Sequence, residues 1–555
     1  MTGISRARCL LVLLVIVGLS AVAVVPAGAE RHRRVGAQAA SGTIRLAAEE
    51  EPTCADWIAS CAGSSWGNWA LGNLTLPQAL NVSSDGDYVP GAMLVDFPTL
   101  EPGPPMKVTY RIKPEAVWSD GEPITSADFA YTWQQIVTST DIYDTTGYVN
   151  IKNVDTTDPK TAVVTFSKPF AGWRDLWGGF YFVLPSHLLE GKSRSKAMKD
   201  GYAFSGGPWE LDGGKSGWKK GKSITLVPND AYWGTKPSIA KAIFQIVPES
   251  SAELEAVKTG QVVAAYPLPI DGALDQLDES PNLSYEVGFG NQFEGLWLNA
   301  KAFPVNSKAV RQALIYATDR QVIVDQILRP AIREGRVLQS FVVPTFKTFY
   351  KPAFDKYTPN QDMVDQLMRG DGWQKGSGGI WEKNGRTASF EVNSTAGNES
   401  RALTEQIWQS QLKAAGFDVK IKNLNSDVLF GTRLPKGQYA VALYASVGTP
   451  DPGQCLIFCS VNIPSKANKQ VGNNTTRTND KAIDTTWTAV DSTLDQTARV
   501  AAADEGQDAL ADYVASIPLF QSPTLFIYNH DRLGGNLQDN TTMGPFFTMN
   551  EWTLK

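Results

Sequence analysis

The chain has 555 residues, 43% of them hydrophobic and 19% charged, with a formal net charge of −6. On the rough prior of ~150 residues per domain this is enough for several packed domains around a large core. A mildly acidic balance offers no footing for nucleic acid, which favours a basic face, and the one basic run, RHRR from Arg31 to Arg34, lies near the start of the chain.

Residues 1–29 carry Arg6 and Arg8, an apolar run from Cys9 to Leu19 extended by AVAVV, and then Ala27-Gly28-Ala29. This is the pattern of an export signal cut after Ala29; the alternative is an uncleaved membrane anchor. Cleavage removes two arginines and no acid, leaving a charge of −8, and takes Cys9 with it. Four cysteines remain, an even number in an exported chain, so disulfides are expected. Three pairings are possible, and the local ones, Cys54 with Cys61 and Cys455 with Cys459, are favoured. The spacings C-x6-C and C-x3-C fit no common zinc pattern in a chain with three histidines, so no metal and no cofactor are expected. No cysteine follows the apolar run closely enough to carry a lipid. Residues 30–52 lack apolar periodicity over most of their length and read as a flexible leader, with order beginning near Cys54.

Beyond the leader, Val108, Tyr110 and Ile112 alternate with Thr109, Arg111 and Lys113, the signature of a strand with one buried face. Asp120-Gly121 then supplies a turn, and Thr125 with Asp128 forms a capping-box variant ahead of a helix carrying Phe129, Trp133 and Ile136. Strands are expected at TAVVTF, ITLVPND and AIFQIV, and a helix over SSAELEAVK is closed by Gly260. From residue 293 a strand, FEGLWL, precedes a long helical region. Residues 389–422 read strand, helix, strand, and a last helix closes onto the apolar run IPLFQSPTLFIYN. Such alternation favours an α/β fold with a largely parallel sheet and ligands at strand ends.

Reaction centres are not apparent. Gly63-Ser64-Ser65-Trp66-Gly67 matches G-x-S-x-G, but too little chain precedes Ser65 for the central strands of a hydrolase sheet, so it reads as an ordinary loop; a secreted serine hydrolase using Ser65 is the rival from a different class. Neither GKS, at Gly214 or Gly221, has the glycine a phosphate loop requires, and a strand follows the second. His187 and His530 stand beside no nucleophile in sequence. What stands out is aromatic: 16 Trp, 17 Tyr and 23 Phe, many beside glycine or proline in loops, where flat rings suit a cleft for peptides or sugars, although most such rings belong to cores.

KVTYRIKPEAVWSDGEPITSADFAYTWQQI (107–136), GGPWEL with the later AYWG (231–234), KAVRQALIYATDRQVI (308–323) and GTPDPGQCL (448–456) occur in that order. Together they resemble the family 5 extracellular solute-binding proteins, the oligopeptide- and dipeptide-binding components of ABC importers. The resemblance implies a two-lobed α/β fold of the type II periplasmic-binding-protein class, with an inserted extra subdomain and a hinge of two crossing strands. Lobe I is expected at 53–90, 206–290 and 516–555, its inserted subdomain at 91–205, and lobe II at 291–515, with crossings near Phe293 to Leu298 and Ile517 to Phe520. Closure of the lobes on a ligand is the implied mechanism, with no catalysis. Implied partners are a peptide or other small hydrophilic solute and the permease subunits of an importer, for a monomer outside the cytoplasmic membrane or in the cell envelope. Cleft candidates are Trp66, Asn68, Phe293, Trp297, Tyr444, Ser446 and Asp451. One departure stands out: peptide-binding members carry an aspartate about three residues ahead of the acidic-Pro pair, to meet the ligand's ammonium, and Gly448 occupies that position here. A glycan or glycolipid is therefore the alternative cargo.

Overall fold

The computed structural model describes residues 40–62, 65–179, 181–448, 450–468 and 472–555. The expected export signal and residues 30–39 of the expected leader lie outside them, as do Gly63 and Ser64. Among the described residues no helix is long and apolar enough to cross a membrane.

One eleven-stranded sheet organises the molecule. Its strands in chain order are β1 (Ser41–Ala48), β2 (Trp209–Leu211), β3 (Trp218–Lys219), β4 (Ser223–Pro228), β5 (Ile239–Ile246), β6 (Ala264–Ala265), β7 (Leu283–Leu298), β8 (Ser389–Asn393), β9 (Asp418–Ile421), β10 (Val441–Val447) and β11 (Ser516–Asn529). Across the sheet they run β9-β8-β10-β7-β11-β6-β1-β5-β4-β2, with β3 folded onto β4. The β8, helix Glu399–Ala415, β9 unit is parallel, and β1 is parallel to β5. The expectation of a largely parallel sheet fails at the centre, where β7 pairs antiparallel with both β10 and β11. The helix-strand alternation that signals parallel pairing lies in the flanks; β7 and β11 are long strands that meet only after more than 200 intervening residues, and the direction in which they meet is not set by local alternation.

The expected leader needs a correction. A strand already occupies Ser41–Ala48, ahead of Cys54: Ile44 and Leu46 are fully buried while Thr43 and Arg45 face out, and β1 sits inside the sheet between β5 and β6. The apolar alternation is short, and its partner strand lies far along the chain, so local periodicity understates it.

Two hydrophobic cores flank the crossing strands. The first gathers Ile44, Trp118, Phe129 and Trp209 together with Phe526, Phe546 and Trp552 from the end of the chain. The second gathers Leu296, Leu314, Trp408, Trp487 and Leu519. Ten of the 16 tryptophans are among the largest fully buried side chains, so most rings are packing, not cleft surface. Strand β7 packs on the second core from Leu283 to Leu298; it pairs with β11 alone at first and gains β10 as a second partner only from Gln292 onward. Its ladder with β11 slips between Phe289 and Phe293 and again between Glu294 and Gly295. Irregular pairing there removes ladder hydrogen bonds where the two strands pass between the cores.

The WSDG segment is a brace of the first core. Lys107–Arg111 lies in a separate four-stranded antiparallel sheet, and the helix Ser126–Thr138 starts with the expected capping box. Asp128, 1% exposed, accepts from Thr125 N (2.9 Å), Trp118 Nε1 (3.3 Å), Ser186 N (2.8 Å) and Ser186 Oγ (2.6 Å). It ties the turn, the helix and the following chain together. Both favoured disulfides, Cys54–Cys61 and Cys455–Cys459, are present.

Candidate functional site

A cavity of about 650 Å³ lies between the two cores, within the range of small-molecule sites. Contacts from one side to the other close its seam: Ala171 N donates to Asp491 O (2.6 Å), and Asn473 Nδ2 donates to the Tyr143 hydroxyl (3.0 Å). All seven cleft candidates, Trp66, Asn68, Phe293, Trp297, Tyr444, Ser446 and Asp451, lie in its wall.

They occupy it in different ways. Trp66 and Asn68 stand on a helical turn, Ser65–Gly67, that runs into a π-helix, Asn68–Gly72, a local widening that often marks functional positions. Trp66 packs edge-on against Trp69 (5.7 Å between ring centres, 68°) and Tyr266 (6.3 Å, 78°). Phe293 and Trp297 project from β7 and Tyr444 and Ser446 from β10, where Ser446 faces Phe293 across the ladder and Tyr444 faces Gly295. Trp297 stacks on Tyr444 (4.9 Å, 14°) and donates from Nε1 to the Tyr444 carbonyl (2.9 Å). Phe293 and Trp297 are 3% and 1% exposed, so they form a packed floor more than a reaching surface. Asp451 is committed already: it accepts two hydrogen bonds from Arg499 Nη2 (2.8 and 2.7 Å) and one from Gly453 N (2.9 Å). Gly448 donates its N–H to Asn291 O (3.2 Å) and brings no acid to the loop.

Sequence reasoning missed the charged part of the wall. Glu49 and Glu50, inside the segment read as leader, line the cavity at the end of β1, and Arg401 faces it from the first turn of helix Glu399–Ala415. Arg401 donates to Glu294 from Nε (3.1 Å) and Nη2 (2.7 Å), and from Nη1 to Thr395 Oγ1 (3.0 Å). Burial lifts the Glu49 carboxyl to about 7, partly opposed by Arg401. Burial, reinforced by Asp451, also holds Asp491 well above the ordinary carboxylate range. The one signal available in sequence was the acidic triplet Glu49-Glu50-Glu51 directly after the alternation of Ile44 and Leu46. Ser65 also lines the cavity, but among the described lining residues there is no histidine: His187 pairs with Asp120 and His530 contacts Ser284. The described residues include no group of three or more His, Cys, Asp or Glu arranged to hold a metal.

Comparison with known proteins bears on this geometry. Among solved structures, the oligopeptide-binding protein AppA from Bacillus subtilis, in complex with a nonapeptide, superposes with a TM-score of 0.82 at 18% identity, covering 94% of this chain and all of that one. A periplasmic EDTA-binding protein, EppA, gives 0.80 at 22% identity, covering 94% and 97%. At these identities they establish the fold: two-lobed, mixed α/β, of the type II periplasmic-binding-protein class. Among curated proteins, the oligopeptide-binding protein OppA of Mycobacterium tuberculosis is 26% identical over 392 residues, 69% of this chain. The match spans 65% of the length of that relative. The probable monoacyl phosphatidylinositol tetramannoside-binding protein LpqW of the same species is 32% identical over 229 residues, 39% of this chain and 34% of that one. The family model for bacterial extracellular solute-binding proteins, family 5 Middle, matches residues 104–460, a span that contains the capped WSDG helix, the crossing strand β7 and the Asp451 loop, and the chain belongs to that family.

Proposed function

We propose that this protein is an exported receptor that clamps an oligopeptide between its two lobes and presents the closed form to the permease of an ABC importer, without transforming its cargo. The observation that carries the reading is the cavity: residues of both hydrophobic clusters enclose it, Trp66 and Trp69 from one and Phe293, Trp297 and Phe341 from the other, and it borders the stretch of β7 whose ladder with β11 slips. Packed lobes move as rigid bodies about a few connecting residues, and irregular pairing in the connecting strands absorbs the change in backbone angles. Ligand favours closure only to the extent that it binds the closed form better than the open one. Peptide as cargo is supported by the relatives OppA and AppA. The lobes are assigned as 53–90, 206–290 and 516–555 against 291–515, with 91–205 inserted and β1 added to the first. Export is assigned to cleavage after Ala29, and the working unit to a monomer, with Trp66, Asn68, Tyr444 and Ser446 as contacts to cargo.

Small-angle scattering tests closure directly. Protein stripped of cargo by reversible denaturation should shrink in radius of gyration when a peptide that raises its melting temperature is added, since a ligand confined to the native state raises stability. An unchanged profile with bound peptide would remove the clamp. A glycan or glycolipid is the second reading, favoured by the Trp66, Trp69 and Tyr266 rings in the wall and by the likeness to LpqW. Native mass spectrometry of protein purified without refolding separates the two by the mass of the retained molecule.

A further inference from the structure

Exposed lysines on this protein commonly stand beside an acid: Lys241 pairs with Asp212, Lys308 with Asp512, Lys351 with Asp508 and Lys422 with Glu391. One face departs from that. The loop 191–200 carries Lys192, Lys196 and Lys199, and the loop 213–223 carries Lys215, Lys219, Lys220 and Lys222, all of them exposed. Asp200 is the one exposed acid within the two loops, in a chain whose formal charge is −6. Neither loop holds more than two lysines in a row, so folding makes this face, not a run in the sequence.

The two loops are fixed against each other. Arg194, the cation of the first loop that turns inward, pairs with the buried Asp56 and with Asp141 (2.7 Å) and anchors the short helix Arg194–Met198. The second loop contains the hairpin of β3 and β4, whose turn Lys220-Gly221-Lys222 passes through φ 68° at Gly221, a conformation suited to glycine. Glu51 holds that turn, accepting from Gly221 N (2.9 Å) and Trp218 Nε1 (2.8 Å). Where the loops meet, Lys215 Nζ donates to Lys196 O (3.4 Å), and Lys199 and Asp200 both lie near enough to Lys220 to act on its charge. Among the described residues Lys220 is the one lysine of this face with a salt bridge, a long one to Asp200 (3.8 Å), and its ammonium also sits 3.1 Å from the centre of the Trp218 ring. Both Gly-Lys-Ser triplets lie here, as basic turns without a phosphate cradle.

Ammonium groups gathered in this way repel one another, and an anionic surface laid against them relieves the repulsion. None of the exposed large hydrophobic side chains among the described residues belongs to either loop, so the face has nothing to insert into a bilayer. It meets charge with charge. A receptor that serves a membrane-embedded permease works within reach of lipid headgroups, and anionic headgroups attract each lysine held within a Debye length of them.

We propose that this lysine face docks the protein, reversibly and through charge alone, on a lipid surface rich in anionic headgroups. The proposal rests on the reading that the protein works beside a membrane permease, but it is tested without cargo, so docking and closure can fail separately.

The test is co-sedimentation of the secreted protein with vesicles of phosphatidylglycerol and phosphatidylcholine in equal parts, or of phosphatidylcholine alone. Binding should require phosphatidylglycerol and should be lost between about 20 mM and about 500 mM sodium chloride, as the Debye length shrinks. Arg31 to Arg34 would also draw anionic lipid, so the decisive comparison is between two variants of equal net charge. Changing Lys196, Lys199, Lys215 and Lys219 together to Gln should weaken binding by at least tenfold. The same change at Lys301, Lys413, Lys420 and Lys436, exposed lysines outside both loops, should leave it within about threefold of the parent, and melting curves confirm that both variants fold. Equal losses in the two variants, no loss in the first, binding that survives high salt, or no binding at low salt would overturn the proposal. Retention on immobilised heparin without binding to vesicles would overturn it too, assigning the face to a soluble polyanion.

Discussion

Two buried ion pairs each put one member on the cavity: Asp451, paired with Arg499, and Arg401, paired with Glu294. Arg499 shares one nitrogen, Nη2, between both Asp451 oxygens, Arg401 reaches Glu294 from both Nε and Nη2, and the four side chains are only 8–13% exposed. Their settings differ. Arg499 also donates to Val490 O (2.8 Å), so its pair ties a loop to the helices Lys481–Ser492 and Gln496–Tyr513 within one half, and burial and the nearby Asp451 push the neighbouring Asp491 carboxyl well above the ordinary range. Arg401 instead stands where β7 crosses, facing Glu49 and Glu50 from β1 as well as Glu294. A pair closed within one half is scaffold. A pair at the meeting of the halves also sets the charge offered to whatever the cavity encloses.

The largest expected effects break these pairs. Removing one partner of a buried pair costs about 3–5 kcal/mol, while replacing both by apolar groups is often close to neutral. Arg499→Met should therefore lose about that much stability by urea denaturation, and adding Asp451→Leu should recover most of it at both pH 6 and pH 8. Arg401→Met should lose a similar amount. Adding Glu294→Leu should recover it at pH 6 but much less at pH 8, because Glu49 loses the cation that opposed its desolvation. Its folded-state value then rises further, and stability falls as the pH climbs through that value. Equal recovery at both pH values in the second double variant would erase the distinction between the pairs.

A third buried carboxylate sharpens the comparison, since Asp128 is satisfied by neutral donors alone. Asp128→Ala removes the cap and strands Trp118 Nε1 and the Ser186 N–H, for an expected loss of about 3 kcal/mol. The loss should not depend on salt concentration. A loss that shrinks in 1 M salt would mean that this site too works through long-range charge.

Asp128 was legible in the sequence because everything it does is local or signalled locally: Thr125 at N-cap spacing, an Asp-Gly turn, and apolar residues at helical intervals. The β8-to-β9 unit was legible for the same reason, and the aromatic cleft candidates followed from rings placed beside turns. The charged part of the wall was not. Glu49 acquires its character from burial under elements far along the chain, and from Arg401, which in sequence is one polar residue among several in an amphipathic helix. The antiparallel centre was hidden similarly, since strand direction depends on which strands meet, and β7 and β11 meet across the whole second half. Asp451 shows the converse error. In sequence it is both a turn-forming acid and a cleft candidate, and the fold shows Arg499 and the Gly453 N–H holding it.

The smallest effect probes the burial of Glu49 with a single substitution. Folding lifts the Glu49 carboxyl from the usual glutamate range to about 7, chiefly by desolvation. A carboxyl raised in this way favours the folded state while it is protonated, below about pH 4.5, and its contribution is lost as the pH rises through about 7. Glu49→Gln cannot ionise. It should therefore match the wild type at pH 4 and exceed it at pH 8 by about 1–2 kcal/mol, allowing for solvent that reaches the cavity wall. Melting curves across that range check the sign as well as the size. A variant less stable than wild type at pH 8 would mean that ionised Glu49 is already compensated inside the protein, by Arg401 or another partner.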